Sequence, residues 1–213
     1  MRIILDGMGG DNAPLEIVKG AVEASSKIDH QIVIAGREEE INAELAKYNY
    51  DESKIQVVHT SEVIENEDSP VKAIRRKTDS SMVKGLTMLK DGEGDLFISA
   101  GNTGAYMAGS LFILGRIPGI DRPAISSIYP IAGGALPSII VDAGANSECR
   151  PSNLLEFAIM GSLYMEKVMD RKNARVGLVN LGVEENKGTT VTKAAHKLLK
   201  EADINFIGNV EAR

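Results

Sequence analysis

The sequence predicts an α/β protein, a three-layer α/β/α Rossmann-like domain with a mostly parallel sheet. Short aliphatic runs without polar alternation recur along the chain, which is typical of strands buried on both faces. Stretches with apolar residues at helical spacing separate these runs. The chain has 213 residues, 43% of them hydrophobic and 25% charged, which is enough for a packed core. We therefore predict one α/β domain over residues 1–213.

Strands and helices alternate through the first half of the chain. The short β-branched or aliphatic runs predict strands at residues 2–6, 31–35, 55–58 and 95–99. Apolar residues spaced by three or four predict helices at residues 15–25, 38–47, 80–90 and 103–114.

The second half begins with a different pattern. Two apolar runs, at residues 124–131 and 136–142, meet at Gly133-Gly134, which is a hairpin-like signal within an otherwise parallel pattern. The alternation then resumes with a helix, a strand, a helix and a strand, at residues 152–169, 175–181, 191–202 and 205–210. Because no helix follows the last strand, we expect the domain to be incomplete at its C-terminal end.

Charge and cysteine content exclude several classes of protein. With 24 basic and 30 acidic residues the net charge is -6, which argues against nucleic acid as a partner. The single Cys149 cannot form an internal disulfide, and no signal segment follows Met1. No apolar run approaches the roughly 20 residues that span a bilayer. We therefore expect a cytoplasmic protein.

Four Gly-rich loops follow predicted strands, at residues 6–12, 99–105, 142–146 and 182–189. Ligands of parallel sheets bind at the carboxyl ends of the strands, so these loops form the candidate site. The second and fourth loops also open helices, where free N–H groups and the helix dipole favour an anion.

Familiar nucleotide and metal motifs fit these loops poorly. Asn12 stands where a dinucleotide fingerprint needs its third glycine, and Lys187-Gly188 reverses the order of a Walker A loop. The histidines are scattered, and we expect them in surface or capping positions. Neither a zinc spacing nor a Ser-His-Asp arrangement can be assembled. We predict no metal and no cofactor.

Some features keep two interpretations. The first loop suits either a turn or a ligand site. The cluster Arg75-Arg76-Lys77 suits either a solvated helix face or a docking surface for an acidic protein. For the loop at Asn102 and for Lys187 we favour a functional role, because two anion-binding helix ends and a lysine meet at one predicted sheet edge.

The loops taken together resemble one family, the bacterial phosphate acyltransferases of phospholipid synthesis. The resemblance extends in order along the whole chain, while members of that family continue well past position 213. It is carried by DGMGGD, SAGNTGA, GRIPGIDRP, DAGAN, GLVNLGVEENKG and FIGNVEAR, at residues 6–11, 99–105, 115–123, 142–146, 177–188 and 206–213.

This resemblance implies a fold similar to isocitrate dehydrogenase and phosphotransacetylase. It implies transfer of a fatty acyl group from acyl carrier protein to inorganic phosphate, which gives acyl phosphate for phospholipid synthesis. We also expect a homodimer, with peripheral association at the inner face of the membrane. The alternatives are an NAD-linked dehydrogenase-like protein and a nonenzymatic α/β binding module.

The residues and the resemblance together predict the site. The residues expected to bind phosphate are Gly101, Asn102, Thr103 and Gly104. The catalytic candidates are Lys187, which would bridge phosphate and the developing oxyanion, with Asp142 and Asn146 to order the site. The substrate-site loops contain Asp6, Gly9, Gly10, Asp11 and Asn209. The candidates for docking the carrier protein are Arg75, Arg76, Lys77 and Arg122.

Overall fold

The computed structural model describes residues 1–131, 136–146 and 148–211. The chain divides into two compact units, Met1–Gly115 and Arg116–Arg213. The expectation of one domain over residues 1–213 stays a prediction. The predicted turn at Gly133-Gly134 lies outside the described residues.

A parallel sheet forms the centre of the first unit, all of whose residues the structure describes. Its strands are β1 (Arg2–Asp6), β2 (Gln31–Gly36), β3 (Ile55–His59) and β4 (Leu96–Ile98). Their spatial order is β3-β2-β1-β4, and every neighbouring pair is parallel. The chain thus runs outward from β1 to β3 and then returns to the other side of β1. This reversal makes a topological switch point between β1 and β4, where sheets of this kind bind ligands.

Helices cover both faces of this sheet. They are α1 (Leu15–Ser25), α2 (Glu38–Leu45), α3 (Pro70–Arg76), α4 (Ser81–Lys90) and α5 (Thr103–Gly109). Alternate residues of β2 face opposite sides, so Ile32 and Ile34 share a core with α1 and α2 while Val33 belongs to the core under α3, α4 and α5. The predicted α/β/α layering with a mostly parallel sheet is therefore confirmed.

Two local details of the first unit differ from the sequence pattern. Helix α3 has no predicted counterpart, because only Ala73 and Ile74 of its seven residues are buried and this is too few for a clear period. The predicted helix over 103–114 is α-helical only to Gly109, where an added Cβ would lie 2.5 Å from Leu86 Cδ1 of α4. A π-helical turn, Ser110–Leu114, completes it before Gly115.

The second unit has two pairs of strands and two helices among its described residues. Strands β5 (Ser126–Tyr129) and β6 (Ser138–Val141) pair antiparallel, in agreement with the hairpin-like sequence pattern. Helix α6 spans Pro151–Lys167, and the remaining elements are β7 (Val176–Asn180), α7 (Thr190–Glu201) and β8 (Phe206–Glu211). Strands β7 and β8 are parallel, as the alternating pattern predicts.

Within the described residues, no helix combines the length and the apolar character needed to cross a membrane.

Candidate functional site

A buried carboxylate joins the two loops at the switch point. Asp6, at the end of β1, is only 2% exposed. Its Oδ1 accepts hydrogen bonds from Ser81 Oγ (2.5 Å) and from the Met8 amide (3.3 Å). Its Oδ2 accepts one from Ser99 Oγ (2.7 Å), which follows β4. Asp6 thus connects loop 6–12, predicted to belong to the substrate site, to loop 99–105, predicted to bind phosphate, and both of its oxygens accept hydrogen bonds within the protein.

The same two loops approach each other so closely that glycine is required. A Cβ added to Gly9 would lie 2.5 Å from Asp6 Oδ2 and 3.0 Å from the Gly101 nitrogen. Gly10, with a φ of +106°, lies against the Ala100 carbonyl. The loops at 6–12 and 99–105, predicted separately from the sequence, therefore form one continuous surface.

Asn102 anchors the start of α5 with both ends of its side chain. Its Oδ1 accepts from the Ala105 amide at 2.9 Å and so caps the helix. Its Nδ2 donates toward three carbonyl groups at 3.0 to 3.2 Å, those of Glu65, Asn66 and Asp68. The sequence predicts that the Asn102 side chain binds phosphate. In the structure this side chain is hydrogen-bonded within the protein, and it holds loop 65–68 against α5.

Thr103 and Gly104 are the donors that remain at this helix end. They are the first two residues of α5, whose amide groups have no carbonyl partner within the helix. The Gly101 amide instead donates to Ser99 Oγ at 3.1 Å. An added Cβ at Gly104 would lie 2.7 Å from Pro70 Cγ, so glycine allows α5 to pack closely on α3. This helix end can bind an anion through backbone N–H groups.

A cleft of about 340 Å³ lies beside this surface, over the ends of β1 to β3. Its lining includes the guanidinium of Arg37, which is paired with Glu40 at 3.0 Å. The other charged groups of the lining are the carboxylates of Asp11, Glu65 and Glu67, and Asp11 accepts a hydrogen bond from Asn66 at 2.9 Å. Because carboxylates outnumber the single cation, the charge of this cleft disfavours an anion.

Asp142 and Asn146 lie together in the second unit, after β6. The Asp142 Oδ1 accepts from the Asn146 backbone amide at 3.1 Å and from its Nδ2 at 2.9 Å. Asn146 Nδ2 also donates to the Pro123 carbonyl at 3.1 Å. Asp142 has a φ of +65°, in the left-handed region. The predicted pair thus forms one hydrogen-bonded turn, held to the segment that precedes β5.

Cys149 shares this turn, because its Sγ donates to Asp142 Oδ2 at 3.6 Å. Burial raises the pKa of the Cys149 thiol, and the negative charge of Asp142 raises it further. The positive charge of Arg122 acts in the opposite direction. Arg122 itself donates to the Glu148 carbonyl at 2.7 Å, so this docking candidate braces the same turn.

Lys187 is the last residue of a turn at residues 184–187, between β7 and α7, which we call the Lys187 turn. Its backbone amide donates to the Glu184 carbonyl at 3.1 Å, and its carbonyl accepts from Asn180 Nδ2 at 3.2 Å. The residue is exposed, and Thr189 caps the helix that follows through a hydrogen bond from the Thr192 amide. Lys187 is therefore an exposed residue shortly before the N-terminus of α7. The expectation that it faces the loop at Asn102 stays a prediction.

Asn209 supports the same turn from β8. Its Nδ2 donates to the Glu184 carbonyl at 2.8 Å, and its Oδ1 lies 3.0 Å from His196 Nδ1. His196 is 5% exposed, so the expectation of a surface or capping position is wrong for this histidine. The reason is that His196 lies on the inner side of α7, between the buried Ala195 and Leu199. The sequence pattern could not predict the contact of His196 with Asn209, because a single histidine in an amphipathic helix indicates no particular partner.

The three residues of the basic cluster, Arg75, Arg76 and Lys77, have different surroundings in the structure. Lys77 Nζ donates to Asp68 at 2.5 Å and to the Val63 carbonyl at 2.7 Å, and its hydrogen bond to Asp68 lowers the pKa of that carboxyl. The Arg75 guanidinium lies 5.1 Å from the centre of the Phe112 ring. Arg76 is exposed. Arg75 and Arg76 form no ion pair within the described residues, whereas Lys77 braces a loop.

The fold is that of the phosphotransacetylases. The EutD phosphotransacetylase from Staphylococcus aureus covers 100% of this chain and 68% of its own at a TM-score of 0.67 and 19% identity. The match to a phosphotransacetylase from Streptococcus pyogenes covers 99% of this chain and 68% of that protein, at a TM-score of 0.70 and 16% identity. At these identities the likeness concerns the fold alone.

Sequence similarity defines the family. Residues 1–213 match the family described as "Fatty acid synthesis protein", and the chain belongs to this family. It is 56% identical over 213 residues to the phosphate acyltransferase of Alkaliphilus oremlandii and 57% identical over 214 residues to that of Clostridium tetani. Both matches cover the whole of this chain, and they cover 63% and 64% of the length of the two relatives. The chain thus spans slightly less than two thirds of their length, and the predicted resemblance is confirmed.

Proposed function

We propose that the protein containing this chain transfers a fatty acyl group from acyl carrier protein to inorganic phosphate. The observation that carries the proposal is the start of α5 at the switch point, where the amide groups of Thr103 and Gly104 have no carbonyl partner within the helix. Asp6, Ser99 and Asn102 hold this helix end in place. Membership in a family whose relatives include phosphate acyltransferases supports an acyl group as the second reactant.

The reaction needs orientation and charge stabilisation more than an activated side chain. A phosphate oxygen attacks the thioester carbonyl carbon, a C–O bond forms, and the carbonyl oxygen gains negative charge. The C–S bond then breaks, the carrier thiolate leaves with the electron pair, and a proton from solvent gives the free thiol. Phosphate is already ionised near neutral pH, so the nucleophile needs no Ser-His pair. Fixed N–H groups and a cation serve both steps.

Within this proposal Lys187 neutralises charge on phosphate and on the developing oxyanion. Asp142 and Asn146 order the loop after β6 through their mutual hydrogen bonds. Neither role requires a metal or a cofactor.

We also propose that Arg75 and Arg76 bind the acidic acyl carrier protein. Both are exposed cations on the last turn of α3, the helix on which α5 packs. Arg122 and Lys77 take a smaller part, because each already holds a backbone carbonyl. We further propose a homodimer at the inner face of the membrane, where an apolar acyl product can be passed on.

The test follows phosphate into the product. The protein containing this chain is incubated with acylated carrier protein and labelled phosphate, and acyl phosphate and free carrier thiol are measured together. Equal amounts of both products, absent when either substrate is omitted, are expected. Release of carrier thiol without formation of labelled acyl phosphate would contradict the proposal.

A matched pair of variants tests the place of phosphate. Gly104→Ala pushes a methyl group toward Pro70 and displaces the start of α5, so the KM for phosphate should rise. Gly20→Ala on α1 meets nothing within 4 Å and serves as the control. An unchanged KM in a folded Gly104→Ala protein would remove phosphate from this helix end.

A further inference from the structure

A buried polar pair lies directly beneath the turn that carries Lys187. His196 Nδ1 and Asn209 Oδ1 are 3.0 Å apart, and the two residues are 5% and 7% exposed. The ring of Phe206 meets the His196 ring edge to face, with centroids 5.1 Å apart. Buried polar groups are costly unless they are paired, so this contact constrains both side chains.

A bulge in β8 makes the contact possible. Val176 of β7 pairs with Phe206, but Leu178 pairs with Asn209, so β8 contains one extra residue in this interval. Gly208 takes it up with a φ of +94°. In a regular strand, residues three apart lie on opposite faces. Here Phe206 and Asn209 both contact His196, which shows that the bulge turns Asn209 toward α7.

From this position Asn209 closes the Lys187 turn. The Glu184 carbonyl accepts two hydrogen bonds, from the Lys187 amide at 3.1 Å and from Asn209 Nδ2 at 2.8 Å. The first forms the turn, and the second attaches it to β8. The turn is also held at Glu185, whose Oε1 lies 2.9 Å from Lys200 Nζ.

Hydrogen-bond chemistry determines how the pair is oriented. The Glu184 carbonyl can only accept, so the Asn209 amide must present its NH₂ group there and its oxygen to His196. His196 must then carry a proton on Nδ1. The hydrogen bond from His196 Nδ1 then holds the asparagine amide in this rotation, and the asparagine attaches the turn to β8.

We propose that His196 and Asn209 are positioning residues that hold Lys187 in its working orientation. This inference rests on the proposed function, in which Lys187 contacts the reacting phosphate. The pair does not touch substrate. It acts through the Glu184 carbonyl and the backbone of the turn.

Two conservative variants of His196 separate positioning from general packing. The Asn amide in His196→Asn lies near the position of Nδ1 and can still donate to Asn209. The Gln amide in His196→Gln lies near the position of Nε2 and cannot. We expect His196→Gln to lose about 10- to 100-fold in kcat/KM for acyl-phosphate formation, since small displacements of a reacting group are costly. His196→Asn should recover most of the activity. Equal losses in both variants would overturn the proposal.

A second measurement does not depend on activity. Hydrogen exchange of the Lys187 amide reports its bond to Glu184 directly. We expect Asn209→Leu to speed this exchange at least several-fold, while the amides in the middle of α7 keep their protection. If Asn209→Leu does not fold, the same measurement is made on His196→Gln. Unchanged exchange at Lys187 in a folded variant would overturn the proposal.

Asn205→Ala is the matched control. Asn205 Nδ2 also donates to a loop carbonyl, that of Asn173, at 2.9 Å, but at the opposite end of β7 and β8. Exchange at Lys187 should not respond to it. If Lys187→Ala proves fully active, the proposed role of Lys187 fails, whereas exchange at Lys187 still decides whether the pair holds the turn.

Discussion

Asp6 Oδ2 accepts a hydrogen bond from the Ser99 hydroxyl at 2.7 Å, which connects the ends of β1 and β4. These two strands flank the switch point, so one buried carboxylate orders both Gly-rich loops of the first unit. The phosphate site proposed at α5 depends on this connection, because α5 begins four residues after Ser99.

Removal of the Asp6 carboxylate should destabilise the protein. Asp6→Ala leaves the hydroxyls of Ser81 and Ser99 without their acceptor, so we expect unfolding free energy to fall by about 1–3 kcal/mol. Urea unfolding measures the change. Asp11→Ala, which affects an exposed carboxylate of the same loop, should change it by under about 0.5 kcal/mol. Equal effects of the two substitutions would show that Asp6 is not the organising group.

Asn102→Asp separates capping from loop attachment. Aspartate keeps the oxygen that caps α5 and places a negative charge at a helix N-terminus, where it is favoured. Its second oxygen, however, faces three carbonyl groups in place of an amide. We expect a net loss of about 1–3 kcal/mol in urea unfolding. Thr189→Asp, at the exposed cap of α7, should be nearly neutral. A stabilised Asn102→Asp protein would contradict this view of the side chain.

Lys187→Ala tests the proposed cation. Loss of one fixed charge at a reacting centre lowers turnover on the order of 100- to 1000-fold. Because Lys187 is exposed, its substitution should change stability by under about 0.5 kcal/mol. Lys187→Arg should restore activity only partly, since a planar guanidinium does not reproduce a compact ammonium. Near wild-type acyl-phosphate formation by a folded Lys187→Ala protein would remove Lys187 from the mechanism.

Charge reversal tests the docking surface on α3. We expect Arg75→Glu combined with Arg76→Glu to weaken binding of acyl carrier protein roughly 5- to 10-fold at low salt. Added salt should reduce the difference, because charges are screened over about 8 Å at physiological ionic strength. Calorimetry at two salt concentrations measures both effects. Lys19→Glu, on α1 at the other face of the sheet, is the control. Salt-independent binding unaffected by the reversal would place the carrier elsewhere.

The reactivity of Cys149 reports the charges around the Asp142 turn. Burial and the Asp142 carboxylate raise the pKa of this thiol, so its thiolate fraction at pH 8 is small. Asp142→Asn removes a negative charge, should lower that pKa and should speed alkylation by iodoacetamide. Arg122→Gln removes the opposing positive charge and should slow it. Rates that shift in the same direction would contradict this electrostatic account.

The sequence by itself determined the order and kind of most elements. Aliphatic runs and helical spacing are local properties, so β1, α1, β7 and α7 are where the pattern predicts them. The glycine-rich loops could be located in the same way. The family resemblance rests on the same loops in their chain order.

Only the tertiary structure decided which polar groups remain available. The sequence presents Asn102, Lys77 and His196 as an amide, a cation and an imidazole, each able to meet a ligand or a partner. In the structure each is bonded to residues distant in sequence: Asn102 to loop 65–68, Lys77 to Val63 and Asp68, and His196 to Asn209 across the β8 bulge. A hydrogen-bonding group has a small number of partners, and packing chooses them from the whole chain. Sequence pattern therefore predicts where a site forms, whereas the fold determines which side chains support it and which face the substrate.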